Sequence, residues 1–205
     1  MHVAVQEVRQ MLVSASSALN DKIQEFSEID SLFGDGDHGV TMERISKEIA
    51  ATAKMEFDSF SEMFRDLGRR IMNVNGGSAG PLYGTVFDGF ADGLEGVSVL
   101  GREELRAMFA GALEGFSMVS NAKEGDKTMM DVLVAACRMA EECQKELPDY
   151  LFEVAAAARE GADRTKGFQA KFGRARFHKE ATIGTMDAGA YSLATMISGF
   201  AAGLS

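Results

Sequence analysis

Proline and cysteine are scarce in this sequence, and no apolar run is long enough to cross a membrane. Only two prolines occur in 205 residues, and alternation of apolar and polar residues is rare. Few helix breakers and few strand patterns favour an all-α fold. The two cysteines, Cys137 and Cys143, and the lack of a secretory signal predict a protein of the reducing cytoplasm. Because no apolar stretch approaches about 18 residues, no membrane partner is expected.

Positive charge is also in short supply. The chain has 21 lysines and arginines against 31 aspartates and glutamates, which gives a formal net charge of -10. This charge argues against nucleic acid as a partner, because protein and phosphate backbone would repel each other. An acidic protein can still bind phosphate groups through metal ions or backbone amides. The length fits one core, so residues 1–205 are expected to form a single domain.

The abundant residues are helix formers, and their spacing predicts about eight helices. Ser59 and Glu62 have the spacing of a capping box, and Pro81 suits the first turn of a helix. In the first helix, apolar residues recur every three or four positions, as expected of a stripe that faces a core: Val8, Leu12, Ala15, Leu19, Ile23 and Phe26. The other helices are predicted near residues 40–55, 60–74, 81–94, 101–119, 127–146, 148–164 and 188–203.

Four junctions between these helices combine glycine with oxygen-bearing side chains. They cover residues 30–39, 75–80, 125–128 and 184–189. An ordinary helix connection needs only one or two turn residues. The excess of glycine and oxygen ligands therefore predicts that these loops bind a ligand.

The first junction places Asp30, Asp35 and Asp37 within eight residues, with glycine at 34, 36 and 39. Three neighbouring carboxylates repel one another, and a hard divalent cation relieves that repulsion, so we predict a magnesium site. The glycines let the backbone curl so that the acids converge. The alternative is that these aspartates are solvated turn residues and helix caps.

The other junctions favour an anion and a base. Residues 75–80 run straight into a helix, which is the geometry of a phosphate site, although a plain tight connection would also explain them. Asp126 is a plausible N-cap for the next helix, and Thr128 and Met129 could border a nucleotide base. His38 could accept phosphate covalently, contact a ligand phosphate or cap its helix, and we favour the contact.

Taken together, residues 34–39, 76–85, 125–129 and 183–190 resemble the L subunit of dihydroxyacetone kinase, DhaL. The resemblance implies a barrel of eight antiparallel helices with a nucleotide, ADP or ATP, and two magnesium ions at one rim. It implies that Asp30, Asp35 and Asp37 hold the metals. It also implies these nucleotide-binding residues: His38, Gly39, Val40, Thr41, Ser78, Ala79, Thr128, Met129, Asp187, Ala188 and Gly189.

The resemblance further implies a division of labour between subunits. The L subunit keeps ADP like a cofactor, and a phosphohistidine on a DhaM-like partner recharges it to ATP. A DhaK-like partner binds the keto-sugar and receives the γ-phosphate. No catalytic nucleophile is predicted on this chain, because phosphoryl transfer depends mainly on positioning and charge neutralisation.

One segment departs from the family pattern. Relatives carry an arginine at the position of Ala181, and a proline at the position of Ala188. Arginine would give bidentate contact to phosphate that lysine does not reproduce. The alternative function is therefore a non-catalytic regulatory or adaptor module of the same fold. A third possibility is a different acceptor, as in fatty-acid kinases with a related domain.

Overall fold

A computed structural model describes residues 3–205, and these residues form nine α-helices and no β-strand. The all-α prediction is therefore confirmed. Two short 3-10 segments, Thr165–Gly167 and Ala175–Thr182, lie in the connection that precedes the last helix. The helices are α1 (Val5–Asn20), α2 (Ile23–Ser31), α3 (His38–Thr52), α4 (Phe60–Met72), α5 (Ala79–Gly93), α6 (Arg102–Val119), α7 (Met129–Glu142), α8 (Asp149–Arg164) and α9 (Ala188–Gly203).

The first predicted helix is divided into α1 and α2. Its apolar stripe is buried as expected except at Ile23, which is half-buried; Val8, Leu12 and Phe26 are completely inaccessible to solvent. The helical backbone is interrupted at Lys22, where φ is -116° and ψ is 7°. Asn20 and Asp21, which immediately precede this point, are poor helix formers. The break leaves the stripe on one side, so α2 extends α1 along the same core.

Eight helices close into a ring. From α3 to α9 each helix packs on the next, α9 packs on α1, and α1 packs on α3, while α2 packs on α3 and α9. Short connections make successive helices antiparallel. The longer connection between α8 and α9 starts and ends at the same rim, since the N–H of Gly184 donates to the carbonyl of Lys166 at 2.8 Å. The predicted eight-helix antiparallel barrel is confirmed.

Aromatic side chains meet across the interior of the ring. The rings of Phe64, Phe87 and Phe109 lie within 6.2 Å of a neighbouring phenylalanine ring, centroid to centroid. Phe90 of α5 reaches Phe200 of α9 at 6.1 Å, although these two helices are not neighbours in the ring. All of these residues are buried. The interior therefore holds packed aromatic rings, which fix the barrel that carries the rim.

The helix starts agree with the sequence except at α7. The Oγ of Ser59 accepts from the N–H of Glu62, as the capping box predicts, and Pro81 lies in the first turn of α5. The prediction that Asp126 caps α7 is wrong. The cap is Thr128, because Lys127 has a left-handed backbone (φ 62°) that a helix cannot include. The Asp126 carboxylate instead accepts from the N–H of Lys123 at 2.8 Å.

One rim of the barrel collects the N-terminal ends of α3, α5, α7 and α9; we call it the N-terminal rim. The first N–H groups of each helix have no partner within the helix, and the helix dipole makes this end positive. Four such ends at one rim favour an anionic ligand. Separately, within residues 3–205 every helix is too short or too polar to span a membrane.

Candidate functional site

The acidic loop connects α2 to α3 at the N-terminal rim. Asp30 lies in the last turn of α2, Asp35 in the loop, and Asp37 immediately before α3. Carboxylate oxygens of the three residues lie within 4.8 Å of one another. The convergence expected from the sequence is present, and a divalent cation prefers this kind of oxygen cluster.

Each glycine of the loop allows a specific close approach or turn. A Cβ at position 34 would lie 2.3 Å from Oδ1 of Asp30, and one at position 39 would lie 2.1 Å from the carbonyl oxygen of Ile23. Gly36 has φ of 74°, which favours glycine. Gly34 therefore admits the Asp30 carboxylate, and Gly39 lets the start of α3 pack directly on the start of α2.

The electrostatics of the loop fit a bound cation. Burial raises the pKa of Asp30, and the nearby charge of Asp35 raises it further, while backbone N–H groups of residues 36–38 oppose the shift. Burial and the charges of Asp35 and Asp30 also raise the pKa of Asp37. The Oδ2 atom of Asp30 is buried and has no hydrogen-bond partner. A buried carboxylate oxygen without a partner is costly, and a metal ion would satisfy it.

Arg174 reaches the acidic loop from the connection between α8 and α9. Its Nη2 lies 2.6 Å from Oδ2 of Asp35, and its side chain is 69% exposed. No sequence motif indicated this arginine; the family pattern places its arginine at Ala181, which lies exposed on the same connection. Gly173, immediately before Arg174, has φ of 62° and is the one local sign of a turn there.

The glycine-rich loop before α5 lies beside the first turn of α3. Gly76 has φ of 143°, and a Cβ there would lie 2.0 Å from Oγ1 of Thr41. The carbonyl of Asn75 accepts from Arg44 of α3 at 2.6 Å. Ser78 and Ala79 form the start of α5, and the Ser78 side chain makes no capping hydrogen bond. The two predicted phosphate-binding segments, 38–41 and 78–79, thus belong to adjoining parts of the rim.

His38 begins α3, but its ring points toward the barrel interior. Its Nε2 lies 2.8 Å from Oγ of Ser192, which also accepts from the hydroxyl of Tyr83 at 2.8 Å. The ring packs edge-on against Phe26, 6.0 Å between centroids. Burial lowers the pKa of His38 to about 4, so the imidazole is neutral at pH 7. In this first turn Gly39 and Thr41 are buried and Val40 is exposed.

The predicted base-binding residues and the last predicted turn face each other. Thr128 caps α7, and its Oγ1 accepts from the N–H of Met130 at 3.1 Å. A Cβ at Gly189 would lie 3.3 Å from Cγ of Met129. Asp187 caps α9 by accepting from the N–H of Ala190, and Ala188 is the first residue of α9. Burial raises the pKa of Asp187 to about 6.

A separate groove lies on the outer wall of the barrel between α1, α8 and α9. Its volume is about 900 Å³, and it borders the rim at Met186 and Tyr191. None of the predicted metal-binding or nucleotide-binding residues lines it. The acidic loop and the helix N-termini, rather than this groove, hold the groups suited to an anion and a cation.

Comparison with known proteins identifies relatives over most of the chain. Residues 32–202 match the model of the DAK2 domain family. The chain is 32% identical over 186 residues to the ADP-binding subunit DhaL of the PEP-dependent dihydroxyacetone kinase 1 of Listeria innocua, covering 87% of this chain and 89% of that protein. The corresponding DhaL subunit of Escherichia coli is 29% identical over 201 residues, covering 96% of each.

A solved structure shares the fold. The dihydroxyacetone kinase from C. freundii, in complex with AMP-PNP and Mg²⁺, superposes with a TM-score of 0.75 and 27% sequence identity. The match covers 95% of this chain and 33% of that one. This chain therefore spans about a third of that enzyme but nearly the full length of the two bacterial subunits.

Proposed function

Because the chain belongs to the DAK2 domain family, we propose that it is the nucleotide-binding subunit of a kinase for dihydroxyacetone or a related keto-sugar. The two bacterial relatives, which match 87% and 96% of this chain, are named as ADP-binding kinase subunits. In this proposal residues 1–205 act as one nucleotide-binding domain. The subunit holds ADP or ATP and passes the γ-phosphate to a substrate bound on a partner.

The observation that carries the proposal is the convergence of three carboxylates beside helix N-termini. Asp30, Asp35 and Asp37 bring oxygens within 4.8 Å, and one buried oxygen of Asp30 has no partner. These carboxylates would hold two magnesium ions, which would supply positive charge to neutralise the phosphate groups during transfer. The protein's own part is to fix the acids and aim its free N–H groups at the phosphates.

The proposed nucleotide site follows the rim from α3 to α7. The N–H groups of Gly39, Val40, Ser78 and Ala79 would bind phosphate oxygens, as helix N-termini do. The N–H of Thr41 already donates to the carbonyl of Asp37 at 3.0 Å. Thr128 and Met129 would lie by the base, and residues 187–189 would close the pocket. Because the imidazole of His38 faces inward and its backbone N–H acts on the Asp30 carboxylate, His38 would fix the start of α3 beside the phosphates rather than bind them directly.

The acceptor and the donor belong to partners in this proposal. A DhaK-like subunit would present the sugar, and a DhaM-like phosphohistidine protein would recharge ADP. Exposed apolar side chains near the acidic loop support a docking surface, because solvated apolar groups of this size favour burial against a partner. Leu32 is 55% exposed, Phe177 72% and Ile183 50%.

Replacing Phe177 with serine should weaken phosphoryl transfer to the partner-bound sugar without changing ADP affinity. Removing a central aromatic contact costs about 2 kcal/mol or more, roughly thirtyfold in affinity for the partner. The measurement is the transfer rate against partner concentration. Phe152→Ser is the matched control, because Phe152 is 40% exposed near the start of α8, at the opposite end of the barrel. Equal effects of the two changes would contradict this docking surface.

Arg174→Ala should weaken magnesium-dependent ADP binding by about tenfold to a hundredfold, the worth of a charge-assisted hydrogen bond. Arg174 pairs with Asp35 in this structure. Once a cation compensates Asp35, the guanidinium can bind a phosphate oxygen instead. Calorimetric titration with ADP measures the change. Arg176→Ala is the control, because it removes the same charge from an exposed neighbour and should leave the ADP affinity near that of wild type. Equal ADP affinities of the two variants would show that Arg174 does not contribute to the site.

The adaptor alternative is motivated by Ala181 in place of an arginine and by Ala188 in place of a proline. Arg174 weakens that alternative, because it brings a guanidinium to the acidic loop from another position. Reconstitution with a sugar-binding subunit and a phosphohistidine donor separates the two functions. A kinase subunit supports transfer of phosphate to dihydroxyacetone, whereas an adaptor binds its partners and transfers none.

A further inference from the structure

Lys127 is a buried lysine in a backbone conformation that lysine rarely adopts. It has φ of 62° in the turn before α7, and it is only 4% exposed. A left-handed backbone is unfavourable for any residue with a Cβ, and it persists where surrounding contacts compensate. Asparagine or glycine would fit this turn with less strain. The compensation must therefore come from what the side chain does.

The ammonium of Lys127 joins the turn to both ends of the connection between α8 and α9. Its Nζ donates to the carbonyl of Thr165 at 2.7 Å and to the carbonyl of Thr185. Thr165 follows the last residue of α8, and Thr185 lies two residues before Asp187. Burial lowers the pKa of Lys127, while the charges of Asp187 and Asp131 favour its charged form.

Two further hydrogen bonds join the same two ends of the connection between α8 and α9. The N–H of Asp187 donates to Oγ1 of Thr165 at 3.0 Å, and the N–H of Gly184 donates to the carbonyl of Lys166 at 2.8 Å. The connection between these points carries Arg174, which reaches the acidic loop. The buried ammonium of Lys127 thus holds together the two ends of the connection that crosses the rim.

We propose that Lys127 is a positioning residue that holds the connection between α8 and α9 in place over the rim. It acts through Arg174 and through the turn at 187–189, and it needs no contact with the ligand. Its consequence for nucleotide binding rests on the proposed function. Its effect on the connection does not, and can be measured in protein without nucleotide.

Hydrogen–deuterium exchange of nucleotide-free protein measures how firmly the two ends of the connection are held, with the amides of Gly184 and Asp187 as reporters. Lys127→Met removes the two hydrogen bonds that the ammonium donates. Each lost bond should raise the opening equilibrium of the connection about tenfold, so exchange over residues 182–187 should accelerate by roughly a hundredfold. Lys127→Gly removes the same ammonium while relieving the left-handed strain, and so gives the same local result in a turn that folds readily. Lys145→Met is the control, since its ammonium is exposed and pairs with Glu153, away from this connection.

Two results would overturn the proposal. One is unchanged exchange over 182–187 in Lys127→Gly, and the other is acceleration spread equally over α1 to α6.

In a separate arm, ADP dissociation from Lys127→Gly should be at least about tenfold faster than from wild type, in line with the lost hydrogen bonds, with little change in association. If wild-type protein bound no ADP, the proposed function would fail while the exchange result still decided the role of Lys127.

Discussion

Asp37→Asn is expected to abolish magnesium-dependent ADP binding while leaving the fold intact or slightly more stable. Loss of a residue that merely supports a metal ligand costs about tenfold to a hundredfold, so loss of a proposed ligand should cost at least a hundredfold. The free energy of unfolding of the metal-free protein should instead stay the same or increase slightly. The pKa of Asp37 is raised by burial and by two neighbouring acids, so removing its charge relieves repulsion in the metal-free protein.

Calorimetric titration with ADP and magnesium measures the loss, and thermal unfolding without metal measures the stability. Asp35→Asn should lose ADP binding as well, but it also breaks the ion pair with Arg174, so its effect on stability is mixed. Glu141→Gln on the exposed side of α7 should change neither quantity. If Asp37→Asn bound ADP as tightly as Glu141→Gln, the acidic loop would not be a metal site.

Gly76→Ala should lower ADP affinity by about tenfold to a hundredfold, whereas Gly77→Ala should bind ADP nearly as wild type does. The two glycines are adjacent and both have positive φ, of 143° and 49°. A Cβ at position 76 would lie 2.0 Å from Oγ1 and 2.9 Å from Cβ of Thr41, so backbone must move. If the shifted loop must return to this conformation to bind ADP, the return costs alanine about 1–3 kcal/mol, and that cost lowers the affinity.

Nothing lies within 4 Å of a Cβ built at Gly77, and its backbone is in the left-handed region that other residues occasionally adopt. Comparing the two variants therefore distinguishes the effect of displacing the glycine-rich loop from the general effect of replacing a glycine with alanine. ADP titration of both variants, with thermal unfolding as a check on folding, makes the comparison. Equal affinities would show that the contact between this loop and α3 does not shape the site.

The sequence predicted those parts of the site that are local. The acidic loop and the glycine-rich loop each bring their residues together within about ten positions, so composition and spacing suffice. Apolar periodicity predicted about eight helices, and the family resemblance implied their arrangement as a barrel. The break at Lys22 was not visible, because the apolar stripe continues on the same side through Phe26.

What the sequence missed depends on long-range contacts. Arg174 and Asp35 are far apart in the chain, and only the course of the last connection brings them together. The cap of α7 was assigned to Asp126 because an aspartate before a helix is a common cap, and the left-handed backbone of Lys127 could not be foreseen. The inward turn of His38 likewise depends on Ser192 of α9.

The most direct test of the central claim is calorimetric titration of nucleotide-stripped protein with ADP, once with magnesium and once with a chelator. The account predicts saturable binding of one ADP with magnesium and a loss of measurable binding in chelator, because the carboxylates of the acidic loop would repel a bare diphosphate. Equal ADP binding in both solutions, or no binding with magnesium, would contradict it.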